Sequence, residues 1–87
     1  MPRLKDPKIQ REITHRVVSS IERLIELGMV RNQKELCTSS GYKEANLSKV
    51  MNGERLAPLM LIHFLTFSYG ISPEWLILGT GSMFSTK

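Results

Sequence analysis

Apolar residues recur at intervals of three and four along the first third of the chain, at Ile9, Ile13, Val17, Ile21, Leu24 and Ile25. That period lines one face of a helix and predicts an amphipathic first helix of about twenty residues, ~30 Å long. Asp6-Pro7 marks its start, an N-cap oxygen followed by a proline where the missing N–H leaves no bond unmade, and Gly28 after Leu27 marks its stop. Asn32-Gln33-Lys34-Glu35 then sets an N-cap with glutamate three residues on, the reciprocal capping-box arrangement, and predicts a short second helix over 33–40 that ends at Gly41. A third helix follows from Lys43 to Asn52, with Leu47 and Val50 inward and Asn52-Gly53 closing it. Pro58 opens a fourth that Gly70 ends, and Ser72-Pro73-Glu74 repeats the cap, proline and acid grammar for a fifth that stops at Gly79. The expectation is five helices, no strands and no internal repeat.

Composition narrows the class. Eighty-seven residues make one domain rather than two, and 41% hydrophobic with 23% charged residues is the balance of a folded globular chain. A single cysteine, Cys37, forms no intrachain disulfide, which suits a reducing compartment. The start of the chain carries no apolar targeting segment, and the longest apolar stretch, Leu59 to Leu65, is broken by His63 and too short to span a bilayer. A cytoplasmic protein that is neither exported nor embedded in a membrane is expected.

Charge gives the first hint of a partner. The net charge is +4, and it is unevenly placed: residues 1–16 carry five basic and two acidic groups, residues 31–55 five and three, and residues 56–87 one of each. A basic N-terminal and middle region favours a polyanion, and a nearly uncharged C-terminal third leaves an apolar end free for another contact.

The second and third predicted helices carry the most specific pattern. Two short helices joined by a glycine-containing turn cross steeply only if the first has a small residue at the crossing, and Cys37 supplies it. The run Gln33 to Asn52, QKELCTSSGYKEANLSKVMN, places Leu36 and Cys37 on the buried side of one helix, Gly41 in the turn, and Leu47 and Val50 on the buried side of the next. With the Asn52-Gly53 closure and the Gly70-Ile71-Ser72-Pro73-Glu74-Trp75-Leu76 block downstream, residues 9–84 resemble the phage-repressor-type, Cro-like helix-turn-helix family. The resemblance implies an all-α, five-helix lambda-repressor-like DNA-binding domain over 7–84, with the helix-turn-helix at about 33–52, a basic arm at 1–6 and a tail at 85–87. Three positions depart from the family pattern: Tyr42 replaces a small aliphatic residue after the turn glycine, Lys43 stands where Ser or Thr would cap the third helix, and Met51 replaces a frequently acidic residue.

With Leu47 and Val50 turned inward, the third helix presents Glu44, Ala45, Asn46, Ser48 and Lys49 on its other side, the side whose N-terminal part the family docks in the major groove. Lys49 can donate to guanine O6 and N7, Glu44 can accept from cytosine N4, Ala45 can approach a thymine methyl, and Asn46 can serve base or phosphate. Glu44 is repelled by phosphates unless it finds a cytosine donor or pairs with Lys43 or Lys49. The resemblance carries Gln33 and Asn52 over as backbone-phosphate contacts, with Lys34, Lys43, Ser48 and Arg55 assigned beside them and Arg31 adding charge. Arg3, Lys5 and Lys8 form a basic arm able to reach along a duplex.

The fourth helix is apolar nearly all round, and so small a domain has one core to offer it. Trp75, Leu76, Ile77, Leu78, Met83 and Phe84 extend the same apolar end, so a homodimer interface is expected at Trp75, Leu76, Leu78, Met83 and Phe84, unless these residues cap the monomer's own core. A two-fold dimer sets two recognition helices about one DNA turn apart, ~34 Å, and asks for a palindromic operator. His15 and His63 stand on separate helices with no metal-ligand spacing, and Cys37 is explained by the helix crossing, so no metal, cofactor, small-molecule ligand or enzymatic activity is expected. The expected function is a sequence-specific DNA-binding repressor, phage- or prophage-type and nucleoid-associated. An antitoxin that also covers a toxin is one alternative. A helical protein-interaction module that never touches DNA is the other, and it predicts an apolar exposed face on the third helix.

Overall fold

The first helix, α1 (Pro7–Glu26), turns its three- and four-residue stripe inward, so that Val17, Ile21 and Leu24 are buried while Glu12, Glu22 and Arg23 meet water. The structure, a computed structural model, describes residues 7–85; the Asp6 cap, Arg3 and Lys5 of the expected arm, and the last two residues of the expected tail lie outside them. Ile9, the first residue of the stripe, is exposed, because the helix begins beyond the edge of the core. Four more helices follow: α2 (Gln33–Ser40), α3 (Glu44–Met51), α4 (Leu59–Tyr69) and α5 (Pro73–Leu78). The protein is all-helical apart from one isolated antiparallel bridge between Ile71 and Phe84 among the described residues. Packing joins α1 to α3 and α5, α2 to α3, and α4 to α5 around one core in a body of 41 × 34 × 18 Å.

Local chemistry explains the helix ends. Asn32 Oδ1 accepts from the Glu35 amide at 2.9 Å, but the Glu35 carboxylate accepts from the Arg31 amide, also at 2.9 Å, rather than from Asn32 as the capping box predicts. The box therefore closes one residue early and ties the incoming chain to the helix start. At the turn, Gly41 lies at φ 81°, a left-handed conformation that favours glycine, and its amide donates to the Cys37 carbonyl. Lys43 stands at the N-cap of α3 in an extended conformation with no side-chain cap. Lys43→Thr is therefore expected to stabilise the fold by about 1 kcal/mol in urea unfolding, and a loss of stability would mean that the lysine stem packs better than a hydroxyl caps.

Two interactions distant in sequence set the angle between elements. Thr14 Oγ1 donates to the Gln10 carbonyl at 2.9 Å and accepts from the Ala57 amide at 2.9 Å, pinning the α3–α4 connection onto α1. Arg16 reaches across to α5, with Nε donating to the Leu76 carbonyl at 2.8 Å and Nη2 to the Ile77 carbonyl at 3.0 Å. A cation on the last carbonyls of a short helix both satisfies them and complements the dipole. Gly79 is at φ 76° there, and a Cβ on it would stand 3.1 Å from the Arg16 guanidinium.

The C-terminal third corrects the expected interface. Leu76 is 0% exposed and belongs to the core with Leu61, Leu65 and Ile71, so it offers nothing to a second chain. Trp75, Met83 and Phe84 are half-buried against that same core. The reason is a chain reversal: the Ser72 amide donates to the Met83 carbonyl at 2.7 Å and the Ser85 amide to the Gly70 carbonyl at 2.8 Å, folding the end of the chain back over the start of α5. Ser85, expected in a tail, is thus held by the domain. Of the five expected interface residues only Leu78 is open, at 68%.

Burial also shapes titration. The Cys37 thiol is pushed up from its ordinary pKa of 9.0, by burial first and by the negative charge of Glu44 second, and Tyr69 is raised from 10.0 by burial and then by Glu35. A raised native pKa means that the folded state keeps its proton where the unfolded chain loses it. Stability is therefore whole below the unfolded values and falls as pH climbs through the native ones. Urea midpoints are expected to be flat from neutrality to about pH 8.5 and to drop above it, with a shallower drop in Cys37→Ala. Midpoints that hold steady above pH 10 would contradict it.

Candidate nucleic-acid interface

Helices α2 and α3 bury one side each and expose the other. Leu36, Cys37, Leu47 and Val50 are buried, and Tyr42 packs half-buried against them in the turn. The packing of α2 on α3 leaves Glu44, Ala45, Ser48 and Lys49 on the open side of α3. Asn46 departs from its expected place, because it is half-buried at the edge of the helix rather than on its open face. The exposed side is polar, the opposite of what an apolar docking helix presents.

The start of α2 adds donors. Its first intrahelical bond runs from the Leu36 amide to the Asn32 carbonyl, so the amides of Gln33 and Lys34 precede the ladder at the positive end of the helix dipole. Gln33 and Lys34 are both exposed. Glu35, the nearest carboxylate, is drawn back by its bond to the Arg31 amide and lies 4.0 Å from the Arg31 guanidinium.

The charges of α3 stand apart from one another. Lys43, Glu44 and Lys49 are exposed and none is ion-paired among the described residues, so of the two ways for Glu44 to escape phosphate repulsion, pairing with a lysine is absent there and a cytosine donor is left. Two cations and one anion on this side are all available to a partner.

Asn52 and Arg55 are exposed beyond the end of α3, where the Asn52 amide closes on the Ser48 carbonyl and the Glu54 amide on the Lys49 carbonyl. They border a cleft of about 270 Å³ whose far wall is α1, and there Arg11 and His15 face them. Neither of these α1 residues was among the expected site residues. The signal was present as basic residues at 8, 11 and 15, three and seven apart on one helix face, but such spacing is equally that of a solvated surface. Lys8 lies within α1 rather than in the expected arm.

A second exposed feature is apolar. On α4, Leu59 is 76% and Phe67 81% exposed, with Met60 beside them and His63 stacked on Phe67 at 5.8 Å between ring centres. This stripe is the uncovered apolar surface that the hydropathy of the fourth helix predicts, and Ile77 and Leu78 of α5 are exposed as well. Among the described residues no helix is long and apolar enough to cross a membrane, and no group of His, Cys, Asp or Glu has the arrangement to hold a metal ion.

Comparison with known proteins adds no relative: no family model, no curated protein and no solved structure matches the chain.

Proposed function

We propose that this protein binds double-stranded DNA in a sequence-specific manner and acts as a phage- or prophage-type transcriptional repressor. The observation that carries the reading is the α2–Gly41–α3 unit, two short helices packed on each other with Leu36, Cys37, Leu47 and Val50 buried and a polar, partly cationic open side. In this reading Glu44, Ala45 and Lys49 meet base edges, and Asn46 serves from the rim. Gln33, Lys34, Lys43, Ser48, Asn52 and Arg55 hold the backbone. Glu44 selects as well as reads, since an unpaired carboxylate beside phosphates favours sites that offer it a cytosine donor. Repression follows from occupancy of a promoter.

The repressor works as a homodimer through the α4 stripe and Leu78, the apolar surface left open after the end of the chain has folded back. Two copies approach through this end with little charge to repel them, because residues 56–87 hold one acidic and one basic group.

The same stripe favours a second reading, a module that docks another protein through Leu59, Met60 and Phe67. Selection of bound duplexes from a random library of about 30 base pairs separates the two, because every candidate operator competes in one mixture. Enrichment of a two-fold symmetric site with half-sites about one turn apart supports the repressor. Failure of the folded protein to enrich any sequence sinks it and leaves the protein-docking module.

A further inference from the structure

The cleft between α1 and the α3–α4 connection has a chemistry of its own. Arg11 and His15 line it from α1 and Arg55 from the α3–α4 connection, and no carboxylate lines the space among the described residues. Neither arginine has a hydrogen-bond or ion-pair partner among those residues. Between these cationic groups the lining is apolar, from Val18, Val50, Met51 and Leu56. Thr14 holds the two walls together through the Ala57 amide, so the cleft is built into the fold.

We propose that this cleft binds a small amphipathic anion, a phosphate or carboxylate carried on a compact apolar body, and that its occupation opposes DNA binding. Three unopposed side chains, two arginines and a histidine, select the anionic group. The apolar lining selects the body: a bare phosphate gains nothing from Val18, Met51 and Leu56, whereas an aromatic or branched group covers them. The volume of about 270 Å³ lies just under the ~300–1,000 Å³ range of small-molecule pockets, which limits the ligand to a compact one. Opposition to DNA rests on the repressor reading, in which Asn52 and Arg55 hold a backbone phosphate. Both residues also line the cleft, so one anion in it takes donors that the duplex needs.

1-Naphthyl phosphate is a suitable probe, titrated into the full chain beside inorganic phosphate and neutral 1-naphthol and followed by amide chemical shifts. The expected result is saturable shifts confined to residues 11–18 and 50–56, with affinity at least about tenfold above either fragment and about tenfold lower in Arg11→Ala. Equal affinity for inorganic phosphate would reduce the cleft to a bare anion contact and overturn the proposal, as would shifts centred on α4. In the second arm, saturating probe is expected to weaken a selected duplex at least about tenfold. Probe binding that leaves duplex affinity unchanged overturns the regulatory half. If library selection yields no duplex, the repressor reading fails while the binding result stands by itself.

Discussion

Replacing Leu76 with alanine is expected to lower the free energy of unfolding by about 2–5 kcal/mol, the loss that follows when a large buried side chain is truncated and its space only partly collapses. The residue is fully enclosed among Leu61, Leu65 and Ile71, and its carbonyl is bonded by Arg16, so the backbone around it has little freedom to close the gap. For a domain of this size each kcal/mol moves the melting temperature by roughly 4–8 °C, which makes the loss easy to read by circular dichroism. A side chain at a subunit contact would behave differently: the sedimenting mass would fall while the melting of the monomer barely changed. A loss below about 1 kcal/mol, with dissociation, would return Leu76 to an interface.

Lys49→Ala is expected to weaken binding to the selected operator by about 1–3 kcal/mol and to relax preference at a single base pair. Lys49 is exposed on α3 and has no ion pair among the described residues, so its removal neither opens the core nor releases a buried carboxylate, and the folded protein should melt as before. The measurement is a competition of the variant against single-base substitutions in the operator at fixed salt, since phosphate contacts alone make affinity fall steeply with salt. Uniform weakening on every sequence would make Lys49 a backbone contact and leave base reading to Glu44 and Ala45.

Most of the helical layout is legible in the order of residues because its causes are local. Caps, N1 prolines and closing glycines act within a few residues of one another, and the predicted second helix, over 33–40, agrees with α2 at both ends. The buried pair on each helix of the crossing is legible for the same reason, since the period of three and four needs only the chain's own spacing. The reversal at the end of the chain is not. It depends on the Met83 and Gly70 carbonyls meeting amides on the other side of the bridge, and nothing in Gly81-Ser82-Met83-Phe84 announces that pairing. The apolar residues there do need cover, and for most of them the cover is their own domain.

Periodicity and capping over a few residues therefore suffice for the set of helices and the side each one buries. Only the tertiary structure decided which apolar residues stay in water, moving the open surface from Trp75, Leu76, Met83 and Phe84 to Leu59, Met60 and Phe67. It also decided that Arg11 and His15 stand opposite Arg55 across one cleft. The first depends on the Ser72–Met83 and Ser85–Gly70 bonds of the reversal and the second on groups brought together by bonds such as Thr14 to Ala57, 43 residues apart, a contact set by the packing of whole helices rather than by any neighbouring residue.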